Sequence, residues 1–380
     1  MKFHSIPRAV FAGLLLFLRP SFLPAEPLIS PTWGFGIDLP VDFDFLEGDG
    51  KNKFAFSSPS GVHFDLAVYP ASAHESVEIM AKDVQKRLKN SGDIASFNYY
   101  GMNAVLVELS FSGNEGWGLC IELEEKAKAG GTGEGGSKPK LLALSYGPGG
   151  NTALQPVILS ALDSIAPTNY HLIVPGPVTE FAYPRENREK AALANSNTEV
   201  WIYDTDAEAA QSLVNREFNI LRRAEKSPLW KEAWIRFYRA IFRDSFDRLA
   251  AIASALEKDW DAADIPAKAL KWVQSFKYER DLMGSDFVNL VSAAIEGRGD
   301  CDSRALLWAV LLSQADIPAA IMVSKEYSHA MGLADINGPG ARFEFENRAW
   351  LVAETTAMVD LGLINAKTSD KENWIGINFY

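Results

Sequence analysis

The segment from Gly297 to Ala305 reads Gly-Arg-Gly-Asp-Cys-Asp-Ser-Arg-Ala and continues directly into an apolar stretch. The glycines allow a tight turn, and Asp300 or Asp302 can cap a helix that Ile317-Pro318 ends. Cys301 then lies in the first helical turn, where the helix dipole favours a thiolate and the backbone N–H of Cys301 can donate to an oxyanion. Neighbouring carboxylates oppose the thiolate if they face the sulfur, so the pattern predicts a nucleophile that needs a base.

A histidine and a glutamate follow this cysteine in an order that suits thiol chemistry. After Tyr170 the chain has no cysteine besides Cys301, and its histidines there are His171 and His329. The segments 319–324, 328–333 and 348–356 predict three strands. His329 begins the second, and Glu354 lies on the third, so a neighbouring antiparallel strand would place this carboxylate beside the imidazole and orient it as a base. Asp360 is the reserve candidate for the acid.

Composition and charge limit the class of protein. The chain has 380 residues, of which 47% are hydrophobic and 23% are charged, as in a folded protein with two or three cores. Its net charge of -12 provides no basic excess to replace the counterions of a phosphate backbone. We therefore expect no nucleic-acid partner and no affinity for an anionic membrane surface.

The N-terminus has the pattern of a signal peptide over residues 1–25. Lys2 and Arg8 precede the apolar run Ala9–Leu18, and Leu23-Pro24-Ala25 has small residues suited to cleavage before Glu26. The mature protein is therefore predicted to be exported, periplasmic or secreted, with no stable membrane span after cleavage. An uncleaved anchor is the alternative interpretation.

Residues 30–167 have the pattern of an α+β domain. Short strands rich in aromatic and branched residues alternate with helices at Val77–Leu88 and Leu154–Ile165, and a glycine-rich loop is predicted at 127–140. The opening Phe35-Gly-Ile-Asp-Leu-Pro, the Tyr-Gly-Met-Asn-Ala motif and the closing helix resemble the PsbP-like α/β/α sandwich. That resemblance implies a docking module, with an envelope protein as its partner, and no chemistry of its own. Cys120 lies here, apart from Cys301, and we expect no disulfide between them.

A linker at 168–199 and a helical extension at 200–266 follow. Thr205 and Glu208 have the spacing of a capping box. Aromatic and aliphatic residues from Trp230 to Ile252 repeat at helical spacing, which predicts a buried core face, with a peptide groove as the alternative. Arginines alternate with acidic residues along the same helices, a pattern typical of a solvated, salt-bridged face; they are Arg216, Arg222, Arg223, Arg236, Arg239, Arg243 and Arg248.

Residues 267–380 resemble the transglutaminase-like superfamily of papain-type folds. The resemblance is carried by Gly-Asp-Cys-Asp-Ser-Arg-Ala, by Ile-Pro, by His-Ala-Met and by Trp350-x-x-x-Glu354-x-Thr356. It implies that Cys301 is the nucleophile, His329 the base and Glu354 the acid, although the family usually has Asp at the last position. It also implies an oxyanion donor on the preceding helix, for which Gln274 and Tyr278 are the candidates.

These patterns together predict an α+β protein that transfers acyl groups at amides by a Cys-His-Glu triad, acting on a protein or peptide. Water as the second substrate would make it a protease or amidase, and an amine would make it a crosslinker; the sequence leaves this choice open. The alternative is a catalytically inactive transglutaminase-like protein that serves as a binding scaffold in the cell envelope. We expect no cofactor and no metal, because one Cys, one His and one Glu on three elements lack the ligand pairing of a zinc site.

Overall fold

The computed structural model describes residues 28–39, 43–124, 138–168, 171, 186–280 and 285–379. The predicted signal peptide, most of the glycine-rich loop and much of the predicted linker lie outside these ranges. Within them the chain forms both helices and sheets, and most strand pairs are antiparallel, which confirms a mixed α+β fold. No helix in the described part of the chain has both the length and the apolar character that a membrane crossing requires.

The N-terminal half is built on a large antiparallel sheet. In chain order its elements are β1 (Leu28–Ile29), β2 (Gly36–Ile37), β3 (Asp44–Gly48), β4 (Lys53–Ser57), β5 (His63–Tyr69), α1 (Val77–Leu88), β6 (Ile94–Tyr99), β7 (Met102–Phe111), β8 (Asn114–Glu122), β9 (Lys140–Pro148), α2 (Gln155–Asp163) and β10 (Ile165–Ala166). The sheet runs in the order β3-β4-β5-β9-β8-β7-β6, and β1-β2-β10 form a small separate sheet.

The two helices of this half cover opposite faces of the large sheet. Val77, Met80 and Val84 of α1 pack with Cys120 of β8. In contrast, α2 contacts the face that carries the neighbouring residue Leu119. Since successive strand residues point to opposite faces, the sheet is buried on both sides. A side-chain oxygen of Ser76 caps α1 by accepting a hydrogen bond from the backbone N–H of Ile79.

The second half begins with a hairpin and continues mainly through helices. These elements are β11 (Arg188–Ala192), β12 (Glu199–Tyr203), α3 (Asp206–Ala224), α4 (Trp230–Asp259), α5 (Ile265–Gln274), β13 (Lys277–Tyr278), α6 (Leu290–Glu296), β14 (Arg298–Gly299) and α7 (Cys301–Gln314). The predicted capping box at α3 is wrong, because the Thr205 side chain makes no capping hydrogen bond. Instead, the carboxylate of Asp206 accepts a hydrogen bond from the backbone N–H of Tyr203.

A second antiparallel sheet closes the fold. Its strands are β15 (Ala319–Ser324), β16 (His329–Ala334), β17 (Arg342–Phe345), β18 (Arg348–Ala353) and β19 (Ile375–Asn378), in the order β17-β18-β16-β15-β19. Helix α7 packs on β15 and β16, with Trp308 fully buried against Gly332. This packing places the N-terminus of α7 near the start of β16, where the candidate site lies.

One hydrophobic cluster extends from the hairpin through α3–α7 to the second sheet. Phe237, Ile241 and Ile252 of α4 are buried in it, so the interpretation of the aromatic stripe as a core face is confirmed. The prediction of a solvated, salt-bridged arginine face is wrong in its solvation at two of these arginines, although their ion pairs are present. Arg236 and Arg248 are buried, and they form ion pairs with acidic partners on α3 and α4.

The two halves meet through polar groups on α3 and α4. The Arg216 guanidinium of α3 lies 3.5 Å from a carboxylate oxygen of Asp38. Next to it, Arg236 of α4 donates two hydrogen bonds to Glu217 of α3, at 2.6 and 2.8 Å. Tyr100 of the N-terminal half lies close enough to affect the pKa of Arg236. The helical region therefore contacts both the N-terminal half and the second sheet.

Candidate functional site

The turn before α7 fixes the position of Cys301. Gly297 ends α6 at φ +65°, a left-handed conformation that glycine adopts without strain. Asp300 is the N-cap of α7: its Oδ1 accepts hydrogen bonds from the backbone N–H of Ser303 at 2.8 Å and from the Ser303 hydroxyl at 2.6 Å. Of the two aspartates that could cap this helix, Asp300 does so. Cys301 is therefore the first residue of α7.

The sulfur of Cys301 is almost completely enclosed, with 3% of the residue exposed. Its S–H donates to Oδ2 of Asp302 at 3.5 Å, and the backbone N–H of Ala330 donates to the sulfur. Burial, followed by the charges of Asp302 and Asp300, raises the pKa of the thiol well above its ordinary value, and the Ala330 N–H only partly opposes this. The neutral thiol is therefore favoured, the opposite of what the helix terminus by itself predicts.

His329 and Glu354 form a direct pair. Nε2 of His329 lies 2.8 Å from Oε2 of Glu354. The pair arises because β16 and β18 are antiparallel neighbours, with Gly332 opposite Ala353, and Glu354 is the first residue after β18. The edge of the Trp374 indole packs near the imidazole, with ring centroids 6.2 Å apart. The predicted base and the predicted acid are thus brought together.

The second oxygen of Glu354 is held by Thr356. Its Oε1 accepts hydrogen bonds from the backbone N–H of Thr356 at 2.8 Å and from the threonine hydroxyl at 2.6 Å. Burial opposes ionisation of Glu354, but the hydrogen bonds from His329 and Thr356 outweigh it and lower the pKa of this carboxyl. Glu354 is therefore a carboxylate at neutral pH.

This pairing determines the role of each ring nitrogen. If Nε2–H donates to the carboxylate, Nδ1 is the acceptor nitrogen of the neutral imidazole. Ala330 follows His329 directly, and its N–H contacts the Cys301 sulfur. The strand β16 thus places His329 directly before the residue whose backbone N–H donates to the nucleophile. The reserve acid Asp360 is exposed, and Glu354 holds the position beside the histidine.

Of the two oxyanion candidates predicted on the preceding helix, Gln274 is the last residue of α5, whereas Tyr278 lies beyond that helix, on β13. Nε2 of Gln274 donates to the carbonyl oxygens of Glu354 at 2.8 Å and of Val359 at 2.9 Å, so both of its amide hydrogens are engaged. Gln274 therefore supports the segment after β18 and has no hydrogen left for an oxyanion. Tyr278 is 50% exposed, and burial and the nearby Cys301 contribute to raising its pKa. Tyr278 and the backbone N–H of Cys301 remain as candidates.

Sequence reasoning missed one residue of the site, Tyr238 of α4. Its hydroxyl donates a hydrogen bond to Oδ1 of Asp302, the same carboxylate that accepts from Cys301. The sequence shows Tyr238 only as one more member of a buried aromatic stripe. Helical spacing identifies the face on which a tyrosine lies, but it carries no signal for the partner of its hydroxyl.

The described residues contain no group of three His, Cys, Asp or Glu side chains arranged to hold a metal ion. Cys120 and Cys301 are both free, and both are buried. The site is therefore composed of a thiol, an imidazole, carboxylates and tyrosine hydroxyls, groups suited to proton transfer and to nucleophilic attack.

Comparisons with known proteins yield little. No family model matches the chain, and no curated protein matches it. A crystal structure of a protein from Bacteroides thetaiotaomicron VPI-5482, determined at 1.50 Å resolution, aligns with a TM-score of 0.25 and 12% identity. The alignment covers 60% of this chain and 80% of that one. A likeness this weak carries no argument about fold or function.

Proposed function

We propose that this protein is exported and transfers acyl groups at an amide through Cys301, His329 and Glu354. In this proposal residues 267–380 are a transglutaminase-like domain and residues 30–167 a PsbP-like docking module for an envelope protein. The observation that carries the proposal is the 2.8 Å contact between Nε2 of His329 and Oε2 of Glu354. The residue after His329 on the same strand, Ala330, donates its backbone N–H to the Cys301 sulfur.

The reaction begins with proton transfer from the thiol. The acceptor Nδ1 of His329 takes the proton while the Cys301 sulfur attacks the carbonyl carbon of a peptide or glutamine side chain. Glu354 stabilises the imidazolium, and the Cys301 N–H with the Tyr278 hydroxyl binds the oxyanion. The imidazolium then protonates the leaving amine, and a thioester remains on Cys301.

The thioester is consumed by a second substrate. Attack by water releases an acid and makes the protein a protease or amidase, whereas attack by an amine forms a new amide and makes it a crosslinker. His329 accepts a proton from either nucleophile and returns it to the departing sulfur. Because the resting thiol is neutral, the rate of the first step depends on this base.

The test uses the mature chain with Cys120→Ala, so that Cys301 is the sole thiol. The protein is incubated with casein and a fluorescent primary amine, and both casein fragments and amine incorporation are measured. We expect one of the two products, lost in Cys301→Ala and in His329→Ala. His63→Ala is the matched control, since it removes a half-buried histidine of the N-terminal sheet. Equal product from the parent and Cys301→Ala would reject the catalytic role.

A second function is favoured by one observation, the enclosure of Cys301. A nucleophile that is 3% exposed and has a raised pKa suits a binding scaffold that keeps the triad without using it. The two functions differ in acylation by a small activated ester. Incubation with p-nitrophenyl acetate, followed by mass spectrometry of the Cys301 peptide, yields a thioester adduct if the site is an enzyme and none if it is a scaffold.

A further inference from the structure

Asp302 lies between two hydrogen-bond donors at the candidate site. Its Oδ2 accepts from the Cys301 S–H at 3.5 Å, and its Oδ1 accepts from the Tyr238 hydroxyl. Tyr238 is 3% exposed and belongs to α4, which packs against α7. A residue from the helical region therefore reaches the carboxylate beside the nucleophile.

We propose that Asp302, oriented by Tyr238, is a positioning residue that keeps the proton on the Cys301 sulfur and so restrains the resting nucleophile. This inference deepens the proposed function, on which its biological meaning rests. The carboxylate offers the thiol an acceptor that competes with the imidazole. Asp302, the residue directly after the nucleophile, then sets how readily the thiol reacts.

Charged and titratable groups face Cys301 from every element around it. Those whose charges interact with Cys301 are Asp300, Asp302 and Arg304 on α7, Tyr238 on α4, and Tyr278 and Arg280 at β13; His329 begins β16, directly before Ala330. Asp300 is directed at Ser303, so Asp302 is the carboxylate that bonds the sulfur. Asp302 also precedes Asp300 among the causes that raise the pKa of the thiol.

The nearby cations are already engaged by other groups. Arg304 is 1% exposed, and it donates to the carbonyl oxygens of Gly299 at 3.0 Å and of Phe276 at 2.5 Å. Arg280 hydrogen-bonds Tyr278 and lies 3.9 Å from Asp286. Both cations therefore have acceptors other than the sulfur, which agrees with a raised pKa of the thiol.

The tyrosine gives the carboxylate a fixed orientation. A half-buried carboxylate with one oxygen bound by Tyr238 presents its other oxygen to the sulfur, and rotation would break both contacts. Burial and the charge of Asp302 both raise the pKa of the Tyr238 hydroxyl, so Tyr238 remains a donor over the whole pH range of an experiment. The helical region thus contributes to the chemistry of the site.

The test measures the rate of Cys301 alkylation by iodoacetamide at about pH 7.5, in the full mature chain carrying Cys120→Ala. Asp302→Asn keeps the shape of the side chain and removes its charge. A pKa lower by one unit raises the thiolate fraction about tenfold, and the lower basicity reduces the reactivity of the thiolate by about threefold. We expect Asp302→Asn to react at least about threefold faster than the parent, and Tyr238→Phe to lie between the two.

Asp300→Asn is the matched control, because it makes the same change one residue before the cysteine at a carboxylate that faces Ser303. A smaller acceleration in Asp300→Asn than in Asp302→Asn supports the inference. An Asp302→Asn chain that melts like the parent but is alkylated at the same rate or more slowly overturns the inference. A Tyr238→Phe chain that is alkylated at the parent rate overturns the role of the tyrosine. If Asp302→Asn fails to fold, the alkylation rate of Tyr238→Phe decides: a rate above that of the parent supports the inference, and the parent rate overturns it.

Alkylation does not require turnover, so this test is separate from that of the proposed function. Faster alkylation of Asp302→Asn without thioester formation from p-nitrophenyl acetate would support the restraint by Asp302 and reject acyl transfer. Thioester formation in the parent with no acceleration in Asp302→Asn would reject the restraint and support acyl transfer.

Discussion

The packing of Gly332 against Trp308 sets the distance between the helix that carries Cys301 and the strand that carries His329. A Cβ on Gly332 would lie 2.4 Å from Cε3 and 2.6 Å from Cζ3 of the Trp308 indole. Carbon atoms pack at about 3.5–4.0 Å, so the ring and the strand must separate by about 1 Å. Trp308 has 0% exposure, and its indole N–H donates to the carbonyl of Pro266 at 3.0 Å, so the ring has no free space to enter.

We therefore expect Gly332→Ala to lower the free energy of unfolding. Overpacking of this kind costs about 1–3 kcal/mol, and the close contacts place the cost of Gly332→Ala near the upper end of this range. Replacing glycine in a strand returns about 0.5–1 kcal/mol of backbone entropy. The net loss is about 2 kcal/mol, read from urea unfolding monitored by circular dichroism. If Cys301 forms the thioester of the proposed function, displacement of α7 from β16 should also reduce its formation.

A double-mutant cycle identifies the cause of this loss. Trp308→Phe removes the second ring of the indole, so Gly332→Ala should cost at least about 0.5 kcal/mol less in that background than in the parent. Gly118→Ala is the control, because its Cβ would lie 3.1 Å from the flexible end of Leu144. An equal cost of Gly332→Ala in both backgrounds, or a cost no larger than that of Gly118→Ala, would refute the reasoning.

Three further predictions concern buried charge. The pKa of Glu354 lies below its ordinary 4.5, so its stabilisation is complete above about pH 4.5 and is lost as the pH falls through the lowered value; urea unfolding should show Glu354→Gln costing less at about pH 3 than at about pH 7. Burial raises the pKa of Asp300 above its ordinary 3.8, so the folded state favours the protonated carboxyl, and the stabilisation it provides is lost as the pH rises through the raised value. Asp300→Asn should therefore be less destabilising at about pH 8 than at about pH 4. Arg236→Met leaves Glu217 buried without its bidentate partner and should lower the free energy of unfolding by about 3–5 kcal/mol in denaturant titration. The double variant Arg236→Met, Glu217→Leu should lose less, because it leaves no buried charge unpaired.

Elements with a strong local pattern were predictable from the sequence. The helix Val77–Leu88 and the strand Ala319–Ser324 were predicted with the bounds that the structure has. In the helix, apolar residues repeat with the helical period, whereas the strand is a short apolar run that is buried along its whole length. The strands Asp44–Gly48 and Ile94–Tyr99 were missed. The first is exposed along its whole length and the second has few buried residues, so neither shows a clear alternation.

The environment of the arginines could not be predicted in the same way. Arg236 and Arg248 have the same sequence pattern as a solvated, charged helix face, yet each is buried with a carboxylate partner. A pattern of alternating charge does not reveal that another helix covers it. Whether a charged face meets water or a second charged face depends on how α3 and α4 pack together.

The sequence by itself determined the mixed α+β class, the helix that begins at Cys301 and the chain order of a thiol, an imidazole and a carboxylate. These follow from local periodicity, helix capping and residue identity. The tertiary structure decided that His329 meets Glu354, that Gln274 is engaged elsewhere, and that Tyr238 binds Asp302. Such contacts join residues 25 to 80 positions apart, so they depend on strand register and helix packing, which no local pattern encodes.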